Sequence, residues 1–88
     1  MLFPIFSYDD GTEVTASKPD NDGKISLYIE KFDKKNDEFI NATIIMPDVT
    51  VKTSHGYSER ELEDMLSEYS EIKEDIMSYV LERTKRSA

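Results

Sequence analysis

His55 is the only histidine in the 88-residue chain, and there is no cysteine. A nucleophilic triad would need His55 to meet Ser54 or Ser58 together with a carboxylate. Neighbours on a short loop rarely reach that geometry, so His55 reads as a solvated turn residue. A zinc centre takes three or four nitrogen, sulfur or carboxylate ligands. One imidazole and no thiol leave only carboxylates, so neither a metal site nor a cofactor is expected. Asp9 and Asp10 could in principle work as an acid–base pair, but they flank a tight turn where water keeps both ionised. No glycine-rich phosphate loop and no basic–aromatic stripe occurs. The chain reads as non-enzymatic.

Asp20-Asn21-Asp22-Gly23 looks like the middle of a calcium-binding EF-hand loop. That motif needs an aspartate two residues earlier and a closing glutamate. Lys18 and Ile29 stand there instead, so the segment is expected to be a turn. Two surface features carry more weight. Tyr28, Phe32, Phe39 and Ile45 fall on one face of their strands, together with Phe6 and Tyr8, and that face is expected to point away from the helix. Contiguous exposed apolar surface of this kind marks interaction sites, and aromatics are enriched at interface centres. The second feature is an acidic stripe, Glu61, Asp64, Glu68, Glu71, Asp75 and Glu82, spaced by three, four or seven. Its like-charged neighbours cost roughly 0.2–0.5 kcal/mol per pair. The stripe would suit a basic groove, or would imitate the charge of nucleic acid. It offers about one charge per 6 Å against one per 3.4 Å on a DNA strand.

The formal net charge is −8, from 11 basic and 19 acidic residues. That balance repels nucleic acid and anionic membranes, both of which are held by cationic side chains. A neutral or basic protein, or a second copy forming a homodimer, is the expected partner. The absence of thiols points to a reducing compartment, hence a cytoplasmic protein. The start, Met1 to Phe6, lacks a basic segment and turns polar by Ser7, unlike a signal peptide. No apolar run approaches the ~20 residues of a membrane span.

These surfaces rest on a simple arrangement of elements. Leu2–Tyr8 reads as an edge strand, because Pro4 cannot donate to a ladder. Asp10-Gly11 is a hairpin signal, and Thr12–Ser17 is the return strand. Lys24–Phe32 alternates strictly, with Ile25, Leu27 and Ile29 on one face. Phe39–Met46 follows with Ile40, Ala42, Ile44 and Met46 inward. Val49–Thr53 closes the set with Val49 and Val51 inward. Ser58 and Glu61 match a capping box, with Tyr57 and Leu62 as its hydrophobic staple. Apolar residues then recur by threes and fours at Leu62, Met65, Leu66, Tyr69, Ile72, Ile76, Tyr79 and Val80. Arg83, Lys85 and Arg86 suit the helix C-terminal dipole.

The expected fold is a single α+β domain over residues 1–88. An antiparallel β-meander of four to five strands (1–53) carries one long C-terminal helix (58–84) on one face. At about 39 Å that helix should overhang the sheet or kink near Ser67 to Ser70. The leading functional expectation is a small acidic protein-binding module acting through the aromatic sheet face. The alternative is an acidic inhibitor or nucleic-acid mimic directed at a basic nucleic-acid-binding protein, of the phage or mobile-element anti-defence type.

Overall fold

The first three reversals of the chain are stabilised by hydrogen bonds within their own turns. Between Tyr8 and Thr12, the Tyr8 N–H donates to the Thr12 carbonyl at 2.8 Å and Gly11 N–H to the Tyr8 carbonyl at 3.0 Å. Gly11 stands at φ +92°, a conformation open to glycine. In the next turn, the Asp20 carboxylate accepts from the N–H groups of Asp22 and Lys24 at 2.8 and 2.9 Å. The carboxylate resembling a calcium ligand thus holds its own loop together. Asp33 does the same for the third turn, accepting from Lys35 N–H and Asn36 Nδ2.

The computed structural model describes residues 2–87, apart from the side chains of Arg86 and Ser87. The dipole role read for Arg86 therefore lies outside the described residues. Five strands, β1 (Leu2–Ser7), β2 (Glu13–Ser17), β3 (Ile25–Asp33), β4 (Glu38–Met46) and β5 (Thr50–His55), form one antiparallel sheet in sequence order. The expected meander is present, with strand ends within two residues of those read from the pattern. Val49 departs from expectation. It sits in the turn before β5 at φ +56°, an unusual conformation for a β-branched residue, while still packing on the core.

Val14, Ala16, Ile25, Leu27, Ile29, Ile40, Ala42, Ile44 and Met46 are all buried, and Val51 packs against them partly buried. Phe3 joins them from β1. This is the aliphatic face read from the alternation, and the C-terminal helices cover it. Tyr69, Ile76 and Val80 are the helix residues driven fully into the core. Burying a side chain of that size contributes about 1.5–3 kcal/mol, which is what holds a polar-rich helix on the sheet.

The single long helix is corrected. The structure has α1 (Glu59–Glu71) and α2 (Lys73–Ser87), separated at Ile72, whose φ −112° and ψ 13° leave the helical region. No glycine or proline marks the break. A straight rod of about 39 Å outruns a nine-residue strand of roughly 30 Å, and the sheet below it twists. Breaking the rod lets each half lay its own apolar residues on the core. Tyr79 is also corrected: it is 41% exposed, donates its hydroxyl to the Pro4 carbonyl at 3.3 Å, and carries the Arg83 guanidinium 5.6 Å over its ring.

The third correction concerns Phe6 and Tyr8. Pro4 pairs with Thr15 but Phe6 with Val14, so β1 carries a bulge at Ile5. One extra residue inverts the alternation beyond it. Phe6 lines a notch with Ile72, Ile76 and Tyr79 of the helices, and the Tyr8 hydroxyl reaches Glu68 and Tyr69. Both therefore lie on the helix side.

Candidate functional site

The register across β3 and β4 sets the outer face. Tyr28 lies between Thr15 and Thr43, and Ile45 between Ser26 and Thr50. Phe32 is paired with Phe39, their ring centroids 5.0 Å apart in an edge-to-face arrangement. No helix covers this side. Phe39 is 68% exposed and Phe32 39%, while Tyr28 and Ile45 are half-buried among the small Thr and Ser neighbours. A shallow groove of about 270 Å³ runs between Tyr28, Glu30, Phe39, Asn41 and Thr43. Glu13 lies directly opposite Glu30 at its border. Like charges opposite one another destabilise a sheet, and among the described residues neither glutamate has an ion pair to relieve it. His55 stands opposite Asn41 on β5, exposed, with Nε2 3.7 Å from a Glu38 carboxylate oxygen. The Ser58 hydroxyl accepts from Glu61 N–H at 3.1 Å in the capping box, whose other half, Ser58 N–H to the Glu61 carboxylate, is present at 3.0 Å.

The acidic stripe is exposed along its whole length, but the fold divides it. Glu61, Asp64 and Glu68 form one wall of a cleft of about 230 Å³ between α1 and the β1–β2 turn. Asp10 and Lys31 line it too, together with Tyr8, Tyr57 and Tyr69. Asp75, beyond the break, lines the separate notch with Phe6 and Ile76. Glu71 lines neither. The sheet-face set (Tyr28, Phe32, Phe39, Ile45) and the helix carboxylates thus lie on opposite faces of the sheet and form no common surface.

The cleft joins residues that the linear reading kept apart. Tyr57 reads as a staple, Tyr69 as core, Asp10 as a turn residue and Tyr8 as part of the outer face. The Tyr8 hydroxyl donates to Glu68 Oε1 at 3.1 Å and lies 3.4 Å from the Tyr69 hydroxyl. The buried Tyr57 hydroxyl has no hydrogen-bond partner among the described residues. Burial pushes the Tyr69 phenol far above its usual range, with its contact to Tyr8 adding to the shift. Tyr8 and Tyr57 are raised in the same direction, first by burial and then by neighbouring carboxylates. Hydrogen bonds from Thr12, with Lys31 behind them, hold Asp10 below the ordinary carboxylate value. The cleft therefore combines neutral phenols with four carboxylates and one lysine.

Models of known protein families, curated proteins and solved structures include none that matches this chain. No described helix is long and apolar enough to cross a membrane.

Proposed function

We propose that this protein is a small non-enzymatic binding module whose outer sheet face docks a partner protein. The observation that carries the reading is Phe39, 68% exposed against Phe32 on a face that no described element covers. Aromatic side chains supply contact area with little side-chain entropy to lose, and they are enriched at interface centres. The unrelieved Glu13–Glu30 pair at the groove border favours a partner that brings a basic residue. Two copies of a chain with net charge −8 would bring like charge against like, which disfavours self-association here.

The test is site-specific photo-crosslinking in the native cell, with a benzophenone side chain at position 39 and a control at exposed Leu81 of α2. An adduct with one basic or neutral protein from position 39 alone, lost on Tyr28→Glu, supports the reading. Identical adducts from both positions, or none from position 39, sink it.

A second reading, an acidic inhibitor of a basic nucleic-acid-binding protein, draws support from Glu61, Asp64 and Glu68 meeting Asp10 across one cleft. Its inhibition would weaken steeply with salt. Inhibition that survives Glu68→Lys combined with Glu71→Lys would end it.

A further inference from the structure

We propose that the tyrosine-lined cleft beside α1 receives the guanidinium of an arginine from a partner protein. This inference stands apart from the sheet-face reading, because the cleft lies on the helix side of the sheet. Its first support is unused hydrogen-bonding capacity. Tyr69 is 2% exposed, yet its hydroxyl has only the long 3.4 Å contact with Tyr8. The Tyr57 hydroxyl has no partner among the described residues. Such buried groups in a folded protein call for an explanation.

The second support is charge. The cleft's own cation, Lys31, is engaged with Asp10 at 3.3 Å. Glu61 serves the helix cap, and Glu68 accepts from Tyr8. Asp64, exposed and lining the same cleft, has neither hydrogen bond nor ion pair among the described residues. Carboxylates beside aromatic rings make the environment that attracts an organic cation, by charge and by cation–π contact.

Size and layout select among cations. The space of about 230 Å³ falls below the ~300–1,000 Å³ of a drug-sized ligand site and accommodates one long side chain. Among the described residues no three metal-ligating side chains gather as a metal set, so the acceptors are too dispersed for a bare ion. Dispersed acceptors suit the forked, planar guanidinium, whose five N–H donors reach several oxygens at once and whose plane stacks on aromatic rings.

The experiment uses the intact protein and three acetylated, amidated pentapeptides, Gly-Gly-Xaa-Gly-Gly, with arginine, lysine or citrulline at the centre. Binding is followed by two-dimensional NMR at low salt. The arginine peptide should shift the signals of Tyr8, Tyr57, Tyr69 and Asp64 in a saturable way. It should bind more tightly than the lysine peptide, and the citrulline peptide should leave the spectrum unchanged. Asp64→Asn combined with Glu68→Gln should weaken binding roughly three- to tenfold, the sum of two partly exposed charge contacts. Glu63→Gln combined with Glu74→Gln, which removes equal charge elsewhere on the helices, should change it less than twofold. Shifts scattered over the whole acidic surface, equal weakening by both double variants, lysine binding as well as arginine, or no shift at millimolar peptide would each overturn the assignment. None of these outcomes depends on position 39, so failure here leaves the sheet-face reading to its own test.

Discussion

Gly56 stands at φ +90° with Ile40 directly beneath it, and a β-carbon there would run into the Ile40 Cγ2 and Cβ atoms. The structure uses the missing side chain twice, for conformation and for space. Gly56→Ala should therefore cost about 2–4 kcal/mol, from backbone strain and overpacking together. Gly11→Ala, with the same sign of φ but no atom within 4 Å, should cost only about 1 kcal/mol. Urea unfolding midpoints of the two variants separate the contributions. Tyr69 provides a second residue-scale prediction. Its native phenol holds its proton well above the ordinary range because it is buried, whereas the unfolded chain releases that proton near pH 10. The native state then binds more protons than the unfolded one at alkaline pH, so stability is intact below about pH 10 and declines above it. One such group gives a slope of about 1.4 kcal/mol per pH unit. Unfolding free energies between pH 9 and 11.5 should show this decline, and Tyr69→Phe should remove about that much of the slope. An unchanged slope in the variant would show that Tyr69 is not the group responsible.

The elements were legible where local physics decides them. Ser58 caps α1 as its spacing with Glu61 indicates, and Ile25, Leu27 and Ile29 lie inward as their alternation requires. Two features escaped because they depend on the whole assembly. The bulge at Ile5 follows Pro4, which marks an edge strand as readily as a bulge, so residue types alone do not place it, yet it transfers Phe6 and Tyr8 from the outer face to the helix side. The break at Ile72 answers the length and twist of a sheet that the helix sequence does not contain. The sheet-face half of the candidate site could be read from strand periodicity. The cleft could not, because Tyr8 and Tyr69 meet across 61 positions. Helix docking can be tested at this scale. Val80 is fully buried and its neighbour Leu81 is 45% exposed. Val80→Ala should destabilise by about 1–3 kcal/mol through lost burial and a residual cavity, and Leu81→Ala by less than about 0.5 kcal/mol. Ser58→Ala should cost about 1 kcal/mol. Thermal unfolding of the three variants would rank them, and equal losses at positions 80 and 81 would contradict the docking described.

For the molecule as a whole, an excess of carboxylates sets the response to salt. Acidic residues outnumber basic ones 19 to 11, and the ion pairs Lys24–Asp48 and Lys31–Asp10 lie at the surface, where such pairs contribute at most about 1 kcal/mol. Against them stand Glu13 opposite Glu30 and the repeated carboxylates of α1, whose like-charge spacing costs about 0.2–0.5 kcal/mol per pair. Glu71 adds to this as the final residue of α1, a helix with no basic residue in its last turn, where the dipole disfavours an anion. A net charge of −8 adds self-repulsion over the whole surface, so screening should stabilise the fold. Raising NaCl from 10 mM to 0.5 M shortens the screening length from about 30 Å to about 4 Å. Relief of about 1 kcal/mol corresponds to roughly 4–8 °C in Tm for a domain of this size. KCl should act equally, which separates screening from ion-specific effects. Glu71→Gln should raise Tm at 10 mM salt and reduce the further gain at 0.5 M, because it removes one of the charges that salt would otherwise screen. A Tm that falls with added NaCl would mean that the surface ion pairs outweigh the repulsion, and the acidic faces would then need no partner to offset them.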